Sequence, residues 1–155
     1  MIEIDSFLAP ERIRLGWHCA SKRELFERLG ELAGTATGNE PMAVVAALGQ
    51  REKLGTTGIG DGVAIPHARI GNLPTLIGFF VRLDTPVDYE AVDDLPVDLV
   101  FLLLAPEDAT GLQLKALARI ARLLRDPAMS AKLRGEPEPR RLFGLLGGKR
   151  PAEES

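Results

Sequence analysis

The sequence predicts a single α/β domain in which helices cover both faces of a central sheet, and three observations carry that expectation. Residues 96–106, PVDLVFLLLAP, are apolar on both faces of the pleat, as a strand covered by helical layers on both sides must be. Residues 110–125 return to a helical period, with Leu114, Leu117, Ala118, Ala121 and Leu124 on one stripe. The chain of 155 residues, 45% of them apolar, suits one core of ordinary size.

Taken in order, the elements read as follows. Residues 12–19, RIRLGWHC, alternate Ile13, Leu15, Trp17 and Cys19 against Arg12, Arg14, Gly16 and His18, the period of a half-buried strand with His18 on its polar face. Ser21 and Glu24 have the spacing of a capping box, so a helix starts there, carries Leu25, Leu29, Leu32, Ala33 and Ala36 inward and ends near Gly38. A second helix follows, with Asn39 as its candidate cap, Pro41 in its first turn and Val44, Val45 and Leu48 facing the core. After a glycine-rich stretch ending in a short strand, VAI, come strands at 76–84 and 96–106, then the helix at 110–125. Asp126-Pro127 breaks the chain before two shorter helical segments. The residues after 148 have too little apolar content to fold, so the domain is expected over 1–148 with 149–155 as a flexible tail.

Bulk properties exclude several function classes. The net charge of −3, with acids and bases interleaved, provides no basic field for nucleic acid. The longest apolar run, LVFLLLA at 99–105, is far short of the roughly 20 residues of a membrane-spanning helix. The amino terminus lacks the basic-then-apolar order of a secretory signal, and a cytoplasmic protein is expected. The single cysteine, Cys19, has no partner at zinc-site spacing, so neither a metal nor a cofactor is expected. No G-x-S-x-G nucleophile motif occurs, and no carboxylate pair stands out.

The chemistry concentrates in GTTGIGDGVAIPHAR, residues 55–69. Glycine turns that bare backbone N–H groups make anion cradles. The stretch nevertheless lacks the Gly-Lys-Ser/Thr of a P-loop, and Val63 and Ile65 occupy the places where a dinucleotide fingerprint needs its third glycine. Pro66 fixes the backbone immediately before His67, which sets the direction of that side chain. A neutral imidazole there is nucleophilic and can take a phosphoryl group on a ring nitrogen, with Arg51, just before the loop, as the best placed cation by sequence. Residue types alone leave a second reading open, in which His67 is a turn histidine bonded to backbone and the glycines only permit a compact turn.

REKLGTTGIGDGVAIPHAR followed by TPVDYEAVDDLPVDLVFLLLAP closely resembles the type-2 enzyme IIA domains of the bacterial phosphoenolpyruvate:sugar phosphotransferase system, most of all their stand-alone nitrogen-regulatory branch. The resemblance runs over residues 1–145. It implies a mixed central sheet flanked by helices, with a histidine matching His67 that accepts phosphate from an HPr-like phosphocarrier and an arginine matching Arg51 that stabilises the phosphate. It also implies that Thr57, Gly58 and Gly60 line the phosphate site. Many relatives carry a second histidine where this chain has Gln113, which can hydrogen-bond a phosphoryl oxygen but cannot titrate near neutral pH. The function so implied is a phosphoacceptor of the nitrogen-regulatory system that controls a partner, such as a kinase or transporter, by its phosphorylation state. The alternative is a sugar-specific IIA component passing phosphate to a separate IIB protein. Lys115, Arg119 and Arg122, with Arg125 beyond, form a basic stripe that reads as a solvated helix face, a docking face being the other possibility.

Overall fold

A computed structural model describes residues 2–147. Two single-turn 3-10 helices, Ile4–Ser6 and Pro10–Arg12, lead into β1 (Ile13–Trp17), followed by α1 (Lys22–Thr37) and α2 (Pro41–Glu52). Three short strands come next: β2 (Gly58–Gly60), β3 (Val63–Ala64) and β4 (His67–Ile70). Two long strands, β5 (Ile77–Val87) and β6 (Val97–Pro106), precede α3 (Thr110–Leu124), α4 (Pro127–Gly135) and α5 (Pro139–Gly147). The tail at 149–155 lies outside the described residues.

The sheet is mixed and runs β1-β5-β6-β3-β2, with β4 also on β6. Strand β6 is central: β5 pairs antiparallel along one edge, and β3 and β4 pair parallel along the other, at Leu99–Val100 and Leu103–Pro106 respectively. Its two-sided burial follows. Val100, Leu102 and Leu104 pack in the cluster that includes α1 and α2, while Leu99, Phe101, Leu103 and Ala105 pack with α3, α4, α5 and the amino-terminal turns. The predicted layers are therefore present, one group of helices on each face.

Three local expectations are corrected. The inward residues of the first strand do not share one face: Ile13 and Leu15 join the α3–α5 side, whereas Trp17 and Cys19 join the α1/α2 side. Gly16, at φ 75°, makes a bulge where the register slips between Leu15 and Trp17, and one extra residue inverts the alternation. The capping box at Ser21 forms, with Glu24 N donating to Ser21 Oγ at 3.1 Å, but Glu24 Oε1 reaches one residue further back, to Ala20 N. Asn39 does not cap α2. Glu40 occupies that position without a side-chain bond, and the Asn39 amide donates to Thr37 Oγ1 instead.

The inward stripe of α3 is also corrected in part. Its buried residues are Gln113, Ala116, Ile120 and Leu124, whereas Leu114 is 62% exposed and Ala118 is exposed. Leu117, Ala121 and Leu124 pack inward as expected, so the buried stripe overlaps the predicted one and is extended by Gln113, Ala116 and Ile120. In the basic stripe, Arg119 is mostly covered, with Nη2 3.6 Å from Glu3 Oε1, while Lys115, Arg122 and Arg125 are exposed. His18 is exposed as predicted, 3.4 Å from Asp84 Oδ1, and Cys19 is buried.

Candidate functional site

Two elements meet at the site. The last turn of α2 carries Arg51 and Glu52, and β4 begins at His67. The chain enters β4 through Pro66, whose carbonyl accepts from Leu103 N at 3.0 Å, and His67 then stands opposite Leu103 of the central strand. His67 is thus the first residue of a strand and not the turn residue of the second reading.

Its ring is held from both sides. Nδ1 lies 2.8 Å from the Ile65 carbonyl, and Arg51 Nε donates to Nε2 at 3.1 Å. A carbonyl can only accept and a guanidinium can only donate, so the ring is neutral, with its proton on Nδ1 and a lone pair on Nε2. Burial pushes the His67 pKa below its ordinary value and the Arg51 charge adds to this, while the Ile65 carbonyl and the Glu52 carboxylate oppose it. Arg51 is itself fixed by a bond from Nη1 to the Gly55 carbonyl at 3.0 Å.

Behind Arg51 lies a buried network that the sequence did not disclose. Glu52 accepts from Lys22 Nζ (2.9 Å), Thr57 N (2.9 Å) and Thr57 Oγ1 (2.8 Å). Thr57 Oγ1 is also 2.7 Å from the hydroxyl of Tyr89, a fully buried residue. Because the one Thr57 hydroxyl proton goes to the carboxylate, Tyr89 donates to Thr57. Burial raises the Glu52 carboxyl, but the bonds from Lys22 and Thr57 outweigh it and leave the pKa below its ordinary value. Burial drives the Tyr89 phenol upward, so it stays protonated. Lys22 Nζ also sits 4.3 Å from the Tyr89 ring centroid, a cation–π contact.

This network changes the reading of the glycine stretch. The Thr57 N–H is spent on Glu52 and the Gly58 N–H on Thr56 Oγ1 at 3.1 Å, so neither is open to an anion. A Cβ at Gly58 would come within 2.7 Å of Ala91 Cβ and 2.9 Å of the Tyr89 ring. Gly60 backs onto the Asp93 carboxylate, whose charge repels an anion. These residues pack the 55–62 segment against residues 89–93, and their spacing reflects that contact.

A groove of about 750 Å³ opens over His67, lined among others by Ala47, Arg51, Leu54, Arg69, Glu107 and Gln113. Thr57, Gly58 and Gly60 do not line it. Gln113 does, at 7% exposure, and its side-chain amide has no hydrogen bond to protein among the described residues. Arg69, which the sequence analysis missed, lies two residues beyond His67 on β4 and donates from Nη1 to Thr110 Oγ1 at 2.8 Å. The period of a strand starting at His67 would have found it. Among the described residues, no group of three His, Cys, Asp or Glu side chains could hold a metal ion, and no helix is long and apolar enough to cross a membrane.

A neutral imidazole with its tautomer fixed faces a cation in a groove beside the mixed sheet, an arrangement chemically able to take a phosphoryl group. The chain belongs to the type-2 EIIA family of the phosphoenolpyruvate-dependent sugar phosphotransferase system, whose model matches residues 6–146. It is similar to the nitrogen regulatory protein of Bradyrhizobium diazoefficiens, 48% identical over 92% of this chain and 94% of that protein. It is also similar to the nitrogen regulatory protein of Escherichia coli, 38% identical over 94% and 90% of the two chains. The crystal structure of nitrogen regulatory protein IIA-Ntr from Neisseria meningitidis superposes with a TM-score of 0.88 at 36% identity, covering 92% of this chain and 98% of that one.

Proposed function

We propose that His67 accepts a phosphoryl group on Nε2 from the phosphohistidine of an HPr-like carrier, and that the resulting charge regulates a partner protein. The observation that carries this is the fixed tautomer: Nδ1 holds its proton against the Ile65 carbonyl, leaving the Nε2 lone pair beside Arg51. The Nε2–P bond forms in line as the donor N–P bond breaks, and the bonding pair returns to the donor nitrogen. The Nδ1 proton stays on the His67 ring, held by Ile65. Arg51 Nε, released from a nitrogen that no longer has a lone pair, turns to the phosphoryl oxygens, and the free Gln113 amide supplies a further donor. Thr57, Gly58 and Gly60 contribute by packing the segment that holds Glu52 and Gly55 in place, and neither a cofactor nor a metal is required.

The regulatory output, in the cytoplasm and on a target such as a kinase or transporter, is favoured over a sugar relay by the names of the similar proteins and by Gln113. An amide can stabilise a phosphoryl group but cannot charge or deliver a proton to speed its departure. The test is to mix the chain with a phosphorylated HPr-like carrier and read the acid-labile adduct by intact mass. Transfer should be observed in wild type and absent in His67→Ala; an adduct that persists in His67→Ala refutes the assignment. A IIB protein that drains the phosphoryl group rapidly would favour the sugar relay.

A further inference from the structure

We infer that Arg69 senses the phosphoryl group on His67 by leaving Thr110 for its oxygens, and thereby reports phosphorylation to the first turn of α3. The inference rests on His67 being the acceptor. Residues 67 and 69 pair with Leu103 and Ala105 of β6, so their side chains emerge from the same face of β4, about 7 Å apart along the strand. Both line the groove.

A phosphoryl group on His67 would leave acceptor oxygens for a second cation in the groove. A phosphoryl group brings a charge of about −2, and Arg51 supplies one guanidinium. Of the other polar lining groups, Gln50 and Gln113 are neutral and Glu107 carries the wrong sign, which leaves Arg69. Its present partner is a neutral hydroxyl. A phosphoryl oxygen is a charged acceptor where the hydroxyl is neutral, and guanidinium matches phosphate geometry in a bidentate fashion that a single hydroxyl cannot. Arg69 is exposed, so the exchange needs only rotation about its own side-chain bonds.

The consequence appears at Thr110, the first residue of α3. The N-cap residue, Ala109, offers no side-chain bond to the free N–H groups of that turn. The bond from Arg69 to Thr110 is thus a tie between the start of the helix and the strand that carries the acceptor. When it is released, the turn that holds Leu112 and Gln113 loosens.

Two measurements on the full chain test this, using the phosphorylated carrier as donor. The first is the transfer equilibrium constant at fixed carrier ratio. Arg69→Gln should lower it about tenfold, as expected for loss of one charge-assisted hydrogen bond, and Arg69→Lys should recover part of the loss. The second is amide hydrogen exchange over 109–114. Phosphorylation should speed exchange several-fold in wild type and leave it unchanged in Arg69→Gln, with thermal unfolding confirming that both variants fold. An equilibrium constant within twofold of wild type in Arg69→Gln overturns the inference, as does an exchange response identical to wild type. A folded wild type that accepts no phosphate refutes the acceptor assignment itself, which separates the two failures.

Discussion

Replacing Gly58 with alanine distinguishes packing from phosphate binding as the reason for glycine in this loop. The backbone at Gly58 lies outside the left-handed region, so alanine meets no conformational penalty, only contact. The new Cβ would lie 2.7 Å from Ala91 Cβ, 2.9 Å from Ala91 Cα and 2.9 Å from Tyr89 Cδ1, all well inside van der Waals separation. One surplus methyl in a packed interior costs about 1–3 kcal/mol. Two of the three obstacles are backbone and ring, which yield poorly, so the upper half of that range is expected. Removing the third obstacle with Ala91→Gly should relieve part of the strain. The cycle of Gly58→Ala, Ala91→Gly and the double variant, followed by urea unfolding, should give a favourable coupling of about 1 kcal/mol. Phosphate acceptance in the double variant should recover with stability, since the Gly58 N–H already bonds Thr56. A double variant that regains stability but still fails to accept phosphate would refute the packing argument and restore the anion cradle.

The remaining predictions concern the site and its support. Arg51→Ala should slow phosphoryl transfer about 100-fold, the effect of deleting one preorganised donor, in single-turnover assays. It should also raise the His67 titration midpoint seen by NMR, because the Arg51 charge helps depress that pKa. In wild type the midpoint should lie below the ordinary histidine value. This base has its folded pKa depressed, so the unfolded chain takes up the proton first, and stability should fall as pH drops below about 6.5 until the folded pKa is passed. Glu52 contributes in a different window: its folded pKa is also depressed, so its stabilisation is complete above about pH 4.3 and is lost as pH falls through the lower folded value. Glu52→Gln should therefore lower stability at neutral pH by about 1–3 kcal/mol and flatten the acid limb of a urea-midpoint profile, since Lys22 loses its charged partner. Gly16→Ala should cost about 1–2 kcal/mol by thermal unfolding, because the space around it is open but its φ is left-handed.

Much of the architecture was legible because it depends on local periods. A strand apolar on both faces needs two helical layers, and the 96–106 segment became the central strand with one group of helices on each side. The capping serine at Ser21 and the stop at Gly38 were readable because caps depend on a few adjacent residues. Phase was less legible. In β1 a single bulge at Gly16 inverted the faces, and in α3 a buried glutamine disguised part of the inward stripe. Bulges and buried polar residues answer to their neighbours in space, and a period count does not include those neighbours.

The same division holds at the site. The sequence by itself determined the nature of the groups: the one histidine behind a proline, an arginine sixteen residues earlier, and a glycine-rich connection between them. Only the tertiary structure decided how they work. Packing of α2 on β4 sets Arg51 Nε 3.1 Å from Nε2, and the Ile65 carbonyl assigns the proton to Nδ1. Contacts spanning thirty residues or more, Lys22 to Glu52 and Thr57 to Tyr89, fix the end of α2, and α3 brings Gln113 to the groove and Thr110 to Arg69 at its wall. Residue type limits which chemistry is available, and it is burial and hydrogen bonding between distant segments that select a tautomer, depress a pKa and commit or free a backbone N–H.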